Sequence, residues 1–256
     1  MPNEQGMSKR QIIRERRARS QLRNRLALIG GALVVIVACA YLYTASRRVT
    51  EPPAIERGTV DFNTAGNADA SITITEYSDF QCPFCQRFWS TTEAQVFSAF
   101  VLTGQVHFVY RSLGNFISDN VARSTGVSNS ESKNAAAAAY CAGDQGKFWE
   151  YHDILFANQT GEGAGGFAPE KLRLFAQKVG LDIDTFNTCL SDNKYGTRVG
   201  QDASDGEAAG AKGTPFFVII YVVNGETRTR TIDGAQGFSA FQNEINGALG
   251  EIAAGK

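Results

Sequence analysis

The sequence predicts an α/β fold that carries an inserted α-helical domain and is preceded by one N-terminal transmembrane helix. Three observations support this prediction. A charge-free apolar run lies near the N-terminus, a strand-helix-strand pattern follows it, and a long helical stretch separates that pattern from two further strands and a closing helix. With 43% apolar and 11% aromatic residues, the composition suffices for a packed core and argues against disorder over most of the chain.

The apolar run LALIGGALVVIVACAYLYTA, residues 26–45, is long enough to cross a bilayer core as a helix. The first 50 residues hold 10 Lys and Arg against 2 Asp and Glu, whereas the remainder holds 15 against 24. Basic residues stay on the cytoplasmic side of a membrane. We therefore expect residues 1–25 to form a basic cytoplasmic tail of a single-pass cell-membrane protein, with the acidic body outside the cytoplasm, in the periplasm.

Two alternatives for this segment involve processing. Ala38-Cys39-Ala40 matches a signal-peptidase site, and residues 36–39 resemble a lipoprotein box, after which Cys39 would carry lipid. The apolar run continues through Tyr41 to Tyr43, and the basic head is long for a signal peptide. These features favour an uncleaved anchor.

The segment after the anchor, residues 46–66, contains Pro52-Pro53 and no sustained period, which predicts a tether to a domain over residues 67–256. Residues 71–77 alternate as a strand with Ile72, Ile74 and Glu76 on one face. Apolar residues then recur at helical spacing over residues 83–102, and residues 105–112 return to a strand pattern. The result is a β-α-β unit.

A long, mainly helical stretch follows the β-α-β unit and precedes two further strands and a closing helix. An insert over about residues 114–212 carries helical patterns at residues 131–142, 146–158, 169–178, 182–191 and 195–211. The pattern then predicts a buried strand over PFFVIIYV and a two-residue hairpin turn at Asn224-Gly225. A more exposed partner strand is predicted over ETRTRTI. Residues 237–249 form the closing amphipathic helix.

The motif Cys82-Pro83-Phe84-Cys85 lies at the turn from the first strand to the first helix. Two cysteines at this spacing can close and reopen a disulfide, and free backbone N–H groups at a helix start favour the thiolate of Cys82, with Cys85 as the resolving partner. The alternatives are a structural disulfide or half a zinc site. A zinc site requires further Cys or His ligands at short spacing, and the chain has two histidines, His107 and His152.

Three separated motifs in this order resemble the DsbA-like branch of the thioredoxin superfamily: EYSDFQCPFC, the stretch from SNSESKNA to CAGDQGKFWEYHDILF, and KGTPFFV. The resemblance covers Asp61 to the C-terminus. It implies a thioredoxin-like fold with an inserted α-helical domain. It also implies proton transfer by Glu76 at the resolving cysteine, and a cis-proline loop at Thr214-Pro215 that shields the disulfide and pairs with substrate backbone.

Each of these roles has a simpler alternative. Glu76 could be a strand-end glutamate that faces water, and Pro215 could start a strand with a trans bond. Asp79 is predicted to be solvated.

Pro83 suits the first helical turn, whereas Phe84 replaces the histidine of strongly oxidising relatives. We therefore expect a Cys82 thiolate that is stabilised chiefly by the helix terminus and less than in those relatives.

The remaining cysteines of the body, Cys141 and Cys189, lie in the insert outside any short redox motif. Pairing Cys82 with Cys85 leaves these two for a structural disulfide, which closes a loop of about 49 residues and contributes about 4 kcal/mol in the chain-entropy model. The alternative is a second exchange pair.

His152 and His107 are predicted to be packed, structural histidines.

The leading functional prediction is an extracytoplasmic enzyme, a thiol-disulfide oxidoreductase that exchanges the Cys82–Cys85 disulfide with cysteines of exported proteins as an oxidase. The resemblance implies reoxidation by a membrane partner of the DsbB or vitamin K epoxide reductase kind. A disulfide reductase or isomerase, and an anchored peptide-binding or chaperone-like module, stay open as alternatives. We predict no cofactor, no metal and no nucleic-acid partner.

Overall fold

A computed structural model describes residues 9–46 and 48–255, and the chain divides into two compact units, Met1–Arg48 and Val49–Lys256. In the first unit, helix α1 spans Lys9–Ser46. Its segment Arg19–Tyr41, with mean hydropathy 1.8, is the one stretch of the described chain that is long and apolar enough to cross a membrane. The helix therefore begins within the basic segment that was predicted as a tail.

The second unit is built on a mixed six-stranded sheet in the order β1-β2-β4-β3-β5-β6. Strands β3 and β4 pair in parallel, and every other neighbouring pair is antiparallel. Buried residues alternate with half-buried ones along β4 and the first part of β3, which places Ile72, Ile74 and Phe108 on the buried face, as the sequence pattern predicts. The strands are Val60–Asp61 (β1), Thr64–Ala65 (β2), Ile72–Ser78 (β3), Val106–Ser112 (β4), Phe216–Val223 (β5) and Glu226–Asp233 (β6).

The helix that links β3 to β4 is continuous but changes its hydrogen-bonding pattern. It begins as α2, Pro83–Phe88, and includes the short α-helical stretch α3, Ala94–Val96. The segments Trp89–Glu93 and Phe97–Val101 are π-helical. A π-helical turn rotates the following residues relative to a regular α-helix, and here Glu93 lies on the buried side of the helix.

Six helices form the insert between β4 and β5. One of them, α4, was not predicted, because FISDNVARST has too few apolar residues for a helical stripe. The structure joins Cys141 of α5 to Cys189 of α8 by a disulfide with a Cα–Cα distance of 5.9 Å. The helices are Phe116–Thr125 (α4), Glu131–Gly143 (α5), Phe148–Ala157 (α6), Pro169–Lys178 (α7), Ile183–Ser191 (α8) and Gly196–Ala208 (α9).

The last hairpin and helix follow the sequence pattern. Asn224 and Gly225 have φ angles of 52° and 79°, the left-handed pair that a two-residue hairpin turn requires. Helix α10, Phe238–Ala254, packs against the sheet through Phe241 and Ile245. The predicted α/β fold with an inserted helical domain is confirmed.

The structure differs from the predicted tether over residues 46–66. From Val49 onward this segment is part of the second unit: it supplies β1 and β2, and Val49 and Ile55 pack against the core. Thr50 also exchanges backbone hydrogen bonds with the Asn158 side chain at 2.7 and 2.8 Å. The prolines suggested a linker, but tertiary contacts order the chain here.

Candidate active site

The CxxC motif lies directly beyond the end of β3, at the start of α2. Cys82 is the residue before the first helical turn, with extended backbone (φ −72°, ψ 120°), and its N–H donates to the Asp79 carbonyl at 2.9 Å. Pro83 occupies the first turn, where an N–H has no intrahelical partner. Cys82 and Cys85 are both buried free thiols in the structure.

The two thiols differ in acidity. A hydrogen bond from the Cys85 thiol, opposed by burial, lowers the pKa of Cys82 to about 7, and smaller contributions come from Thr214 and the backbone N–H groups of Cys85 and Phe84. Burial raises the pKa of Cys85 well above its usual value, and the neighbouring Cys82 raises it further. The Cys85 thiol therefore contributes more to Cys82 acidity than the helix terminus, which the sequence had suggested as the main cause.

The loop before β5 lies against Cys82. The Thr214–Pro215 peptide bond is cis, and the Cys82 thiol donates to the Thr214 carbonyl at 3.4 Å. This geometry agrees with the expected loop and not with the trans alternative. The role of Thr214 and Pro215 in substrate pairing stays a prediction.

Glu76 points into the interior beneath the motif and is 1% exposed. Burial, followed by the negative charge of Glu93, raises the pKa of Glu76 to about 8. The Glu76 charge in turn raises the pKa of Cys85. The carboxyl is thus protonated near neutral pH, and its role in proton transfer at the resolving cysteine stays a prediction.

The prediction that Asp79 is solvated is wrong, because its side chain is 2% exposed. Its carboxylate accepts hydrogen bonds from the backbone N–H groups of Gln81 at 2.9 Å and Ile117 at 3.0 Å. Burial raises the pKa of Asp79 to about 6. Asp79 therefore connects the CxxC turn to the first turn of α4.

Two glutamines that sequence reasoning missed hold the CxxC turn against the insert. The Gln81 amide donates to Ser118 at 2.7 Å and Ser132 at 2.8 Å, and the Gln159 amide donates to the carbonyls of Phe80 at 2.6 Å and Cys82 at 3.0 Å. Glutamine is common on surfaces, so nothing local in the sequence marks either residue. The helical insert thereby fixes the backbone that presents Cys82.

A buried ionic cluster, missed by sequence reasoning, lies around Arg57. Its guanidinium donates to Asp153 at 2.7 and 2.8 Å and to Glu93 at 2.5 Å, and it lies over the Trp149 ring at 4.6 Å. Asp153 also contacts the His152 ring nitrogen Nδ1 at 3.0 Å. A signal existed for Glu93, which lies four residues from both Trp89 and Phe97 on the apolar stripe of the helix.

Glu93, His152 and Asp153 have the residue types of a metal site, with one ligand atom from each within 4.8 Å of the others. The Arg57 guanidinium already neutralises two of these three side chains at hydrogen-bonding distance. A permanent cation at this point opposes a second one by like-charge repulsion. The cluster is therefore a protein ion-pair network.

The other predicted residues are dispersed. Phe84 is 53% exposed beside the motif, with the Arg87 guanidinium 5.1 Å from its ring centre. His152 is fully buried among aromatic rings, and His107 is half-buried in β4. Cys39 is an exposed free cysteine of α1.

A thioredoxin-like sheet with a CxxC at the first strand-to-helix turn, facing a cis-proline loop, defines a thiol-disulfide type of site. The sequence model of the thioredoxin family matches residues 59–244, and the chain belongs to this family. Among solved structures, alpha-DsbA1 of Wolbachia pipientis has a TM-score of 0.62 at 18% identity, covering 77% of this chain and 96% of that one. The fold is therefore that of DsbA-like proteins.

Two curated relatives share part of the sequence. The Na(+)/H(+) antiporter NhaA 1 of Salinispora arenicola is 32% identical over 154 residues, which is 60% of this chain and 21% of the antiporter. A protein of Rickettsia bellii, provisionally named a protein-disulfide oxidoreductase, is 26% identical over 129 residues, which is 50% of this chain and 45% of that protein. The chain spans less than half the length of either relative.

Proposed function

We propose that this chain is a membrane-anchored thiol-disulfide oxidoreductase that exchanges the Cys82–Cys85 disulfide with cysteines of exported proteins. The observation that carries the proposal is the CxxC at the start of α2, with the Cys82 sulfur 3.4 Å from the carbonyl of Thr214, which precedes a cis proline. The two thiols also differ in acidity, since the pKa of Cys82 is lowered to about 7 and that of Cys85 is raised well above its usual value. One sulfur is a nucleophile and leaving group near neutral pH, while the other is a protonated resolving thiol. A purely structural disulfide needs no such difference.

In the oxidising direction, a substrate thiolate attacks the Cys82 sulfur, the bond between Cys82 and Cys85 breaks, and the Cys85 sulfur takes the electron pair. The Glu76 carboxyl, protonated near neutral pH, gives its proton to the Cys85 thiolate. A second substrate thiolate then attacks the substrate sulfur of the mixed disulfide. Cys82 leaves as a thiolate, and the pair is reduced.

The surface around Cys82 suits an unfolded or extended substrate. Phe84 exposes an apolar ring directly beside the motif, and the Thr214 loop brings a backbone edge to the Cys82 sulfur. An extended peptide pairs with such an edge by main-chain hydrogen bonds, largely independently of sequence. This supports protein substrates of broad range.

The location and partner belong to the same proposal. The basic residues before the apolar segment of α1 favour a cytoplasmic N-terminus, with the second unit outside the cytoplasm, where disulfides persist. Each cycle leaves the pair reduced, so a membrane oxidase of the DsbB or vitamin K epoxide reductase kind is the proposed electron acceptor. The match to the Salinispora arenicola relative covers 21% of that antiporter, and antiporter activity is not part of the proposed function.

A second candidate, disulfide reduction or isomerisation, is favoured by one observation. A Cys82 pKa of about 7 is close to the value of about 7 for thioredoxin and far from about 3.5 for DsbA. A less stabilised thiolate corresponds to a less oxidising disulfide. The direction of electron flow therefore depends on the reduction potential.

The test is the reduction potential of the full-length chain in detergent, equilibrated with glutathione, together with refolding of a reduced substrate protein. A potential near about −120 mV supports the oxidase and one below about −250 mV supports the reductase. Cys82→Ala is expected to abolish both activities. If the parent neither oxidises nor reduces protein thiols yet still binds unfolded peptide, the chain is an anchored peptide-binding module.

A further inference from the structure

Four buried polar atoms beneath the CxxC have no hydrogen-bond partner within residues 9–46 and 48–255: Glu76 Oε1, Glu93 Oε2, Tyr110 Oη and His152 Nε2. Each of these side chains belongs to a residue that is at most 1% exposed. Buried polar atoms in folded proteins are paired with protein groups or with internal water. Four such atoms in one region therefore indicate a polar path through an otherwise apolar core.

The four residues are neighbours in space. Glu76 and Tyr110 occupy paired positions on β3 and β4. The Tyr110 ring lies 5.2 Å from the His152 ring, edge to face. His152 in turn has a ring nitrogen within 4.8 Å of a carboxylate oxygen of Glu93. Groups that can give and accept protons are thus neighbours from the floor of the CxxC to the ionic cluster of Arg57. Because none of the four unpaired atoms is hydrogen-bonded to another, internal water is needed to connect them.

The far end of this path reaches the surface. Arg57 and Asp153 line a cleft of about 490 Å³, together with Pro52, Pro53 and Trp149. The near end meets the reacting sulfur, since the Glu76 charge acts on Cys85. Cys82 and Cys85 are 2% and 0% exposed, so both sulfurs are largely shielded from solvent.

The buried carboxyl groups around Arg57 can hold a proton because they outnumber the permanent positive charge. Three carboxyl groups, those of Glu76, Glu93 and Asp153, share one permanent cation, the Arg57 guanidinium. Burial raises the pKa of Glu93 and Glu76, whereas for Asp153 the His152 hydrogen bond and the Arg57 charge overcome the effect of burial and lower the pKa. A proton can therefore be gained or lost here without leaving an isolated buried charge.

We propose that Tyr110, His152 and Glu93, bridged by internal water, form a proton route between Glu76 and the cleft, with Arg57 and Asp153 as positioning residues that hold its outer end. This inference rests on the proposed function. After Glu76 has protonated the departing Cys85 thiolate, the Glu76 carboxylate regains a proton from the His152 and Glu93 side, and water in the cleft replaces that proton. In the reverse step, Cys85 gives its proton to Glu76, and the same groups carry it outward.

The experiment follows the breaking of the Cys82–Cys85 bond after the oxidised full-length chain in detergent is mixed with a reduced cysteine peptide. Acid quenching, alkylation and mass spectrometry give the rate of Cys85 thiol formation in H₂O and in D₂O. Because general acid–base groups contribute about 10²–10⁴-fold and these residues act one step away, we expect Glu93→Gln and His152→Gln to slow this step about tenfold. Both variants are also expected to change its solvent isotope effect.

Glu93→Gln preserves the surroundings, because glutamine keeps an oxygen acceptor for Arg57. Asp202→Asn is the matched control: Asp202 is a 4% exposed carboxyl that accepts from Tyr140, outside the route, and we expect parental rates. If the parent exchanges disulfides while both folded variants keep its rate, isotope effect and pH profile, the route is overturned and the proposed function stands. If the parent itself does not exchange disulfides, the proposed function fails instead.

Discussion

The second unit holds two pairs of cysteines that are similarly buried but differ in their bonding and in their spacing along the sequence. Cys82 and Cys85 are 2% and 0% exposed, and Cys141 and Cys189 are 1% and 8% exposed. The first pair consists of free thiols three positions apart, and the second is a disulfide with a sequence separation of 48. Solvent exposure therefore does not distinguish an exchange pair from a structural one.

The surroundings of the two pairs make the difference. A hydrogen bond from the Cys85 thiol lowers the pKa of Cys82, whereas burial and the neighbouring Cys82 raise that of Cys85, so the two sulfurs differ in acidity. Cys141 lies instead in the alanine-rich helix α5, whose small buried side chains allow α8 to approach. Reactivity thus depends on polar groups that affect the two sulfurs of a pair unequally.

The largest expected effect is on the exchange pair. Cys82→Ala removes the attacking and leaving sulfur, so formation of a mixed disulfide with a reduced peptide is expected to fall to background. Gel-shift trapping of the peptide adduct measures it. Cys39→Ala, at an exposed free cysteine of α1, is the matched control and keeps the parental yield. Adducts that persist in Cys82→Ala would show that the peptide thiolate attacks the Cys141–Cys189 disulfide instead.

Removing the second pair is expected to affect stability and to spare chemistry. The double variant Cys141→Ala/Cys189→Ala loses the cross-link between α5 and α8, which costs about 2–5 kcal/mol of unfolding free energy. Urea unfolding measures the loss, and the exchange assay is expected to give the parental rate in the folded variant. Loss of exchange with the fold intact would instead identify Cys141 and Cys189 as a second exchange pair.

Glu76 is expected to make stability depend on pH. Its pKa is about 8 in the folded chain against 4.5 for an ordinary glutamate, so its stabilising contribution is complete below pH 4.5 and is lost as the pH rises through about 8. Between pH 6 and pH 8 the oxidised parent is expected to lose about 2 kcal/mol more than oxidised Glu76→Gln. Using the oxidised protein removes thiol titration. Parallel stability curves for the two proteins would exclude a buried, titrating Glu76.

Those parts of the site that lie on regular strands and helices can be predicted from the periodicity of apolar residues in the sequence. Alternation in residues 71–77 places Glu76 on the buried face, and the turn between strand and helix locates Cys82. The ionic cluster escapes such reasoning because Arg57 lies in a segment without a period and meets Glu93 and Asp153 from 36 and 96 residues away.

Asp79 is a second residue whose surroundings cannot be predicted from a local sequence pattern. An aspartate beside a turn is normally solvated, but here two backbone N–H donors, one of them from Ile117 in the helical insert, compensate for its burial. The insert contributes these partners through tertiary packing, and no local pattern in the sequence specifies where its helices meet the CxxC turn.

The smallest expected effect concerns Phe84, the exposed residue between the two exchange cysteines. The Phe84 side chain offers neither charge nor hydrogen bond to Cys82, whereas a protonated histidine at a few ångströms favours a thiolate, so Phe84→His is expected to lower the pKa of Cys82 by about 1 unit. The disulfide would then become more oxidising, by about 30 mV for each 1.4 kcal/mol of thiolate stabilisation. Thiolate absorbance against pH and glutathione equilibration measure the two quantities, with Phe84→Leu as the uncharged control. An unchanged or raised Cys82 pKa in Phe84→His would mean that the hydrogen bond from Cys85, and not the intervening residues, sets the acidity of the pair.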